Sequence, residues 1–316
     1  MTDDPPEVVG VDVGGTKIAA LRMTPDGQVL ERAERSTPAD DAQGILTSLI
    51  EAAAVVRGPA VVAIGIGAPG LVTAHGVLRY GPNMALREVS LNDRVGSALG
   101  LPCATENDAT AATWAEFAIG AGRHATHMLL VTVGTGIGGG IVVDGRIMRG
   151  AHGFAGEIGH VIVEPGGPRC GCGNRGCWEA VASGTAISRA AIEAVRAHPG
   201  SLLHEIAGGD PDRADGPAVT EAARRGDTVA INILTEVGSR LGQGIAGLAN
   251  VLDPELVVVG GGAAEAGDLL LGPARVAFRD ALEAPDHRPE VPLVPAALGN
   301  DAGAVGAGLL ALDSLT

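Results

Sequence analysis

The feature that most restricts how this chain can fold is a short pattern that occurs twice. Val8 to Val13 is an apolar run carrying Asp12-Val13-Gly14-Gly15-Thr16-Lys17 at its end. A second apolar run, Ile18 to Met23, follows, then a Pro25-Asp26-Gly27 turn and a third run over 29–35. About 120 residues later, Met128 to Val133 leads into Gly134-Thr135-Gly136-Ile137-Gly138-Gly139-Gly140, then Ile141 to Val143 and an Asp144-Gly145 turn. Apolar runs of this length bounded by glycine turns read as buried strands joined by hairpins. One such turn alone is equally well a plain hairpin. Two copies of one supersecondary unit imply two α/β lobes of related design. Their glycine turns would offer backbone N–H groups to a nucleotide phosphate chain from both sides. The first turn is not a Walker loop, because the GxxxxGK[ST] spacing is absent and no helix follows.

At 316 residues the chain is long for one core, which agrees with two lobes, and its 46% apolar content can fill both. Its net charge of −15 argues against nucleic acid and anionic membrane as partners. No uninterrupted apolar run reaches the length of about 18 residues that a membrane span needs, and the acidic start MTDDPPE is unlike a signal peptide. A cytoplasmic protein is expected. Of 22 basic residues only Lys17 is a lysine, and it stands inside the first glycine turn, where a compact point charge suits a phosphate.

Between the two copies, 43–56 has helical spacing, and Val61 to Ile66 is a strand running into Gly67-Ala68-Pro69-Gly70. Such loops at the C-terminal ends of strands are where α/β proteins place ligands. Gly81-Pro82-Asn83 forms a second such loop. Pro102 to Thr105 delivers Glu106-Asn107-Asp108 to an alanine-rich helix over 109–117, where Asp108 is either a helix N-cap or a functional carboxylate. Farther on, 179–197 reads as one helix, 208–217 as a flexible surface loop, and 231–248 as part of a long helix stopped by Asp253-Pro254. Leu256 to Val259 is a strand into Gly260-Gly261-Gly262, which is either a plain turn or a backbone open to a flat ligand. A small-residue helix over 302–312 closes the chain.

The stretch Gly156 to Glu179 holds three of the four cysteines, Cys170, Cys172 and Cys177, with His160 upstream and glycines between. Three thiolates and an imidazole are a ligand set for a closed tetrahedral zinc site. A reduced thiol cluster or a disulfide is the alternative, though Cys170 and Cys172 stand too close to bridge each other comfortably. A metal with four protein ligands has no open position, so it would stiffen the segment bearing Glu157 and Glu179 rather than activate water.

Taken in order, DVGGTK, GAPG, END, GTGIGGG, GEIGH, CGCGNRGCWE and VVVGGG span nearly the whole chain. This set resembles the ROK family of sugar kinases and sugar-responsive repressors, most of all its ATP-dependent glucokinases. The resemblance implies a two-lobed ribonuclease H-like fold of the actin and hexokinase type with an active-site cleft between lobes. The small lobe is expected at 1–112 plus 302–316, and the large lobe, with the zinc motif, at 113–301. It also implies Mg²⁺ with ATP, glucose as acceptor, structural zinc, and a homodimer or homotetramer. By motif, Asp108 would be the catalytic base. Gly67, Asn83, Asn107, Glu157, His160 and Glu179 would serve the sugar. Asp12, Gly14, Gly15, Thr16, Lys17, Gly134, Thr135 and Gly136 would face the phosphates and magnesium, and Gly184, Gly260, Gly261 and Gly262 the adenosine. One departure is that Met84 follows Asn83 where members often carry tryptophan. A kinase for another hexose or an N-acetylhexosamine is the alternative activity. A repressor is disfavoured, because the first strand begins near Val8 with little chain ahead of it for a DNA-binding domain.

Overall fold

The computed structural model describes residues 5–315, so the first four residues of the acidic start lie outside it. Strands β1 (Glu7–Val13), β2 (Lys17–Met23) and β3 (Val29–Ser36) form an antiparallel meander. Helix α1 (Ala42–Val56) follows, started by the Asp41 side chain, which accepts from the Gln43 amide. It leads to β4 (Val61–Ala68). A small sheet of β5 (Leu71–Val72), β6 (Val77–Tyr80) and β7 (Arg87–Ser90) precedes α2 (Leu91–Leu99), β8 (Cys103–Asn107) and α3 (Asp108–Ala118). The main sheet has the order β3-β2-β1-β4-β8, with β1, β4 and β8 parallel.

The second half contributes β9 (Met128–Val133), β10 (Ile137–Val143), β11 (Arg146–Ile147), α4 (Trp178–Ala182), α5 (Gly184–Ala197), α6 (Leu202–Ile206), α7 (Gly216–Arg224) and α8 (Thr228–Leu252). Then come β12 (Leu256–Gly260), α9 (Asp268–Ala281), β13 (Leu293–Pro295) and α10 (Ala302–Asp313). The second sheet runs β11-β10-β9-β12-β13. No described helix is long and apolar enough to cross a membrane.

By contacts the chain forms two units. One comprises the described residues up to Leu130, Gly140–Gly156 and the stretch from Ala296 onward; the other is Val131–Gly139 and Glu157–Pro295. This division places 113–130, 140–156 and 296–301 with the first unit, whereas the motif reading drew its boundaries at 112 and 302. The physical reason is the packing of α3 on α10. A Cβ at Gly306 of α10 would lie 1.7 Å from the Ala111 carbonyl oxygen of α3. The same helix crosses the main sheet at two more glycines. A Cβ at Gly10 would stand 1.9 Å from Ala304 O, and one at Gly65 1.8 Å from Ala307 O.

Several local expectations change. The helix read over 179–197 is two helices broken at Ser183, an extended residue whose hydroxyl caps α5 by accepting from the Ala186 amide. The 208–217 segment carries a short 3-10 turn, Pro211–Arg213, a buried Ala214, and Asp215 as the cap of α7. The β5–β7 sheet, α2 and α9, which carries Pro273 inside it, are absent from the sequence reading. The long helix does stop at Asp253, which adopts φ 47°.

Candidate functional site

In the first unit, strand register gathers the expected residues at one end of the sheet. Asp12 of β1 pairs with Gly67 of β4, Gly67 pairs with Glu106 of β8, and Ala68 pairs with Asn107. Three adjacent parallel strands therefore deliver Asp12, Gly67 and the Glu106-Asn107-Asp108 triplet at their C-terminal ends. Gly67 leaves room there: its Cβ would stand 3.6 Å from the Asp108 Cα. The N-cap of α3 is Asn107, whose Oδ1 accepts from the Thr110 amide while its Nδ2 donates to the Gly70 carbonyl. Asp108 is the first residue of the helix, with Oδ1 taking the Ala109 amide at 2.8 Å. Capping thus belongs to its neighbour. Burial pushes the Asp108 carboxyl above its ordinary value, opposed by the Ala109 N–H. Burial and then the Asp108 charge push Asp12 up to about 7, against the pull of Lys17. These are two carboxylates whose environments hold protons more tightly than water would.

The first glycine turn is a hairpin: Val13 pairs with Ile18, and the Gly14 amide donates to Lys17 O. Thr37 backs it, its hydroxyl donating to Gly14 O at 2.8 Å and its amide to Thr16 O. A trans peptide points its C=O and N–H in opposite directions. Pinning Gly14 O therefore turns the Gly15 amide away from Thr37. Gly15, Thr16 and Lys17 are exposed, and the Lys17 ammonium rests on Glu34 at 2.8 Å. Asn83 is exposed with φ 57°, next to a buried Met84 that packs in the core with Leu86. In the position where family members often carry tryptophan, methionine fills the same unit's interior. Arg87 fastens this loop by donating to the carbonyls of Gly81, Met84 and Leu86 while its guanidinium covers the Tyr80 ring. Glu106 is almost fully buried and bridges the Asn107 amide and Arg149 Nε at 2.6 Å.

In the second unit, His160, Cys170, Cys172 and Cys177 present donor atoms all within 4.8 Å of one another. All four cysteines of the chain are free, Cys103 lying apart among core residues of the first unit. Tetrahedral zinc with Zn–S near 2.3 Å and Zn–N near 2.0–2.1 Å requires donor separations of about 3.6–3.8 Å. The Cys172–Cys177 sulfurs stand 3.6 Å apart, and Cys170 Sγ stands 3.6 Å from His160 Nδ1. The residues present fit the ion. Tight turns shape the knuckle: the Cys170 amide donates to Asn174 O, the Gly173 amide to Cys170 O, and Gly176 (φ 75°) has no space for a Cβ beside Glu164 O. Buried Trp178 anchors it by donating to Arg240 O at 3.0 Å. Nε2 of His160 faces Glu157 Oε2 at 3.8 Å, so the two ring nitrogens look to different partners.

The second glycine turn lies in this unit. Gly134 O accepts the Gly184 amide at 2.8 Å, and Thr135 O accepts the Thr185 hydroxyl at 2.6 Å. By the same peptide geometry the Thr135 and Gly136 amides point away from α5. The duplicated pattern therefore extends to a backing threonine, Thr37 in one unit and Thr185 in the other. Gly184 sits directly beneath the turn: a Cβ on it would come within 2.6 Å of Gly134 O. Gly260 ends β12 and Gly261 has φ 86°, its Cβ position blocked by Val133 O at 2.6 Å, while Gly262 faces open space. Glu179 Oε2 accepts the Ile137 amide at 3.0 Å. Thr37, Thr185, Arg87 and Arg149 went unread in the sequence, and Glu106 was named only as part of its triplet, without a partner. Nothing in the spacing of the first two marks them, since Thr37 lies 23 residues from Gly14 and Thr185 lies 50 from Thr135.

The ROK family model matches residues 8–314. The glucokinase of Streptomyces coelicolor is 39% identical over 308 residues, spanning 96% of each chain. The N-acetylmannosamine kinase of Escherichia coli O157:H7 is 35% identical over 307 residues, 96% of this chain and 97% of that one. Among solved structures, a ROK family glucokinase from Streptomyces griseus in complex with glucose and AMPPNP superposes with TM-score 0.89 at 40% identity, covering 97% of this chain and 99% of its own. The fold is the α/β, actin- and hexokinase-like one of those kinases, and the chain belongs to the ROK family.

Proposed function

We propose that this protein is an ATP-dependent glucokinase that phosphorylates glucose at its 6-hydroxyl, with Asp108 as general base. The observation that carries this is the placement of Asp108, at the helix start beside Asp12 and freed from capping by Asn107. Near-full-length similarity to glucokinases supports the substrate. Phosphoryl transfer is mostly positioning and charge neutralisation, so few groups are needed. Asp108 would accept the hydroxyl proton as the oxygen attacks the γ-phosphoryl group, a step worth roughly 10²–10⁴ in rate. Asn107, held by Gly70, would orient a neighbouring hydroxyl, and Gly67, Asn83, Glu157, His160 and Glu179 would serve the rest of the sugar. The Gly15, Thr135 and Gly136 amides and Lys17 would meet phosphate oxygens, with Gly260 to Gly262 along the adenosine. Magnesium, held near Asp12, supplies charge neutralisation of the triphosphate. Zinc held by His160, Cys170, Cys172 and Cys177 supplies rigidity to the segment bearing Glu157 and Glu179. The same reading carries a cytoplasmic location and a homodimer or homotetramer.

A coupled assay of ADP release with ATP across glucose, mannose, fructose and N-acetylmannosamine tests it. The highest kcat/KM is expected for glucose. N-acetylmannosamine is the second reading, favoured by the 35% identical kinase of that sugar, and a higher kcat/KM for it would replace glucose.

A further inference from the structure

Glu179 occupies a position that a sugar contact alone does not explain. Its two oxygens look in different directions. Oε2 accepts the amide of Ile137, the residue that ends the Gly134-Thr135-Gly136 turn, at 3.0 Å. Oε1 lies 3.3 Å from Cys170 Sγ, one of the four donors of the metal cluster. The turn is built around this carboxylate: a Cβ at Gly136 would fall 2.1 Å from Glu179 Oε2. The next peptide, through the Ile137 carbonyl, is closed by Gly159, neighbour of the candidate ligand His160, where a Cβ would lie 2.2 Å from Ile137 O. Cys170, Glu179, Gly159 and Ile137 thus form one continuous set of contacts, and α5 holds the far side of the turn through Gly184 and Thr185.

We propose that Glu179 is a positioning residue that couples occupancy of the metal cluster to the geometry of the nucleotide turn 134–137. The motif reading confines the metal's influence to the sugar; the carboxylate extends it to the phosphate side. Two sites biased by one shared element change each other's affinity by the same factor. The inference rests on the turn being the phosphate site of an ATP-dependent kinase.

The test measures zinc affinity of the full-length protein by chelator competition, with and without a magnesium-loaded non-hydrolysable ATP analogue. In the wild type the analogue is expected to tighten zinc by about fivefold or more. Glu179→Ala should abolish that difference, while Glu179→Gln, which keeps an oxygen to accept the Ile137 amide, should retain part of it. Gly136→Ala, which forces the carboxylate off the turn, reports the same loss if Glu179→Ala does not fold. Zinc affinity indifferent to the analogue in the wild type overturns the coupling, as does a wild type that binds no zinc. So does a Glu179→Ala protein in which zinc weakens equally with and without nucleotide, the mark of a merely structural residue. The kinase reading fails separately: a wild type that couples zinc to the analogue yet phosphorylates no sugar loses the substrate and keeps the coupling. One that phosphorylates glucose with no coupling loses only this inference.

Discussion

Asp108 and Asn107 are adjacent in sequence yet do different work, because a one-residue step at a helix start changes what a side chain can reach. Asn107 caps α3 and Asp108 does not. Asp108→Asn should therefore leave folding and zinc content unchanged and lower kcat by roughly 10² or more, because the amide cannot take the hydroxyl proton. Steady-state kinetics with glucose, alongside calorimetric glucose binding that weakens far less, checks this; turnover within a few-fold of wild type would remove Asp108 from the mechanism. Asp12 makes a second case. Its folded value of about 7 lies above the 3.8 of an unfolded aspartate, so ionising it opposes folding. That penalty is absent below the unfolded value, grows as pH rises toward 7, and is constant above it. Asp12→Asn should raise Tm at pH 8 but not at pH 4, while magnesium-dependent turnover is lost. Thermal melts at the two pH values decide it, and an equal shift at both would contradict the assignment.

At the scale of elements, one buried carboxylate joins two helix starts of the second unit. Buried Asp227 accepts from the Ala230 amide at the start of α8 and from the Leu203 amide in α6. Burial alone would raise its carboxyl, but the amides of Ala230, Leu203, Leu202 and Val229 outweigh that and hold it below the usual carboxylate range. Its contribution to stability is present above the unfolded value and is lost as pH falls through the lower folded one. Asp227→Ala should destabilise by about 1–3 kcal/mol, since both a cap and a second acceptor disappear. Denaturant titration at pH 7 should show the loss, with glucose kinetics of the folded fraction near wild type. An unchanged midpoint would mean that water replaces the carboxylate at both helix starts.

For the whole molecule, one small cluster carries a large consequence. Its four donors lie within 4.8 Å of one another, with two pairs at 3.6 Å, and Trp178, Arg240 and Glu179 tie the segment around them to the rest of the unit. Cys172→Ser is expected to lose zinc and sugar phosphorylation together, measured by elemental analysis and by the coupled assay. A variant that is fully loaded and active would sink the structural role assigned to the metal. Cys103→Ser should leave zinc untouched.

How much of this was legible in the residues follows from sequence separation. The strands around both glycine turns, the stop at Asp253 and the His160–Cys177 donor set could be read because each is local: hydrophobic periodicity, turn chemistry and close-spaced ligands need no distant partner. The choice of Asn107 over Asp108 as cap could not, since either residue is a good N-cap and only backbone geometry selects one. Nor could the Glu106–Arg149 pair, 43 residues apart, or the grip of Glu179 on Ile137, 42 residues apart. Such bonds exist only once packing has placed the chain, and shifting a strand by one residue would turn each side chain to the other face. The sequence by itself determined the strands around the glycine turns, the candidate donor set of one histidine and three cysteines, and the family of the fold. Tertiary structure decided which carboxylate is free of capping, which threonines back the turns, and that one glutamate joins the metal cluster to the turn beside it.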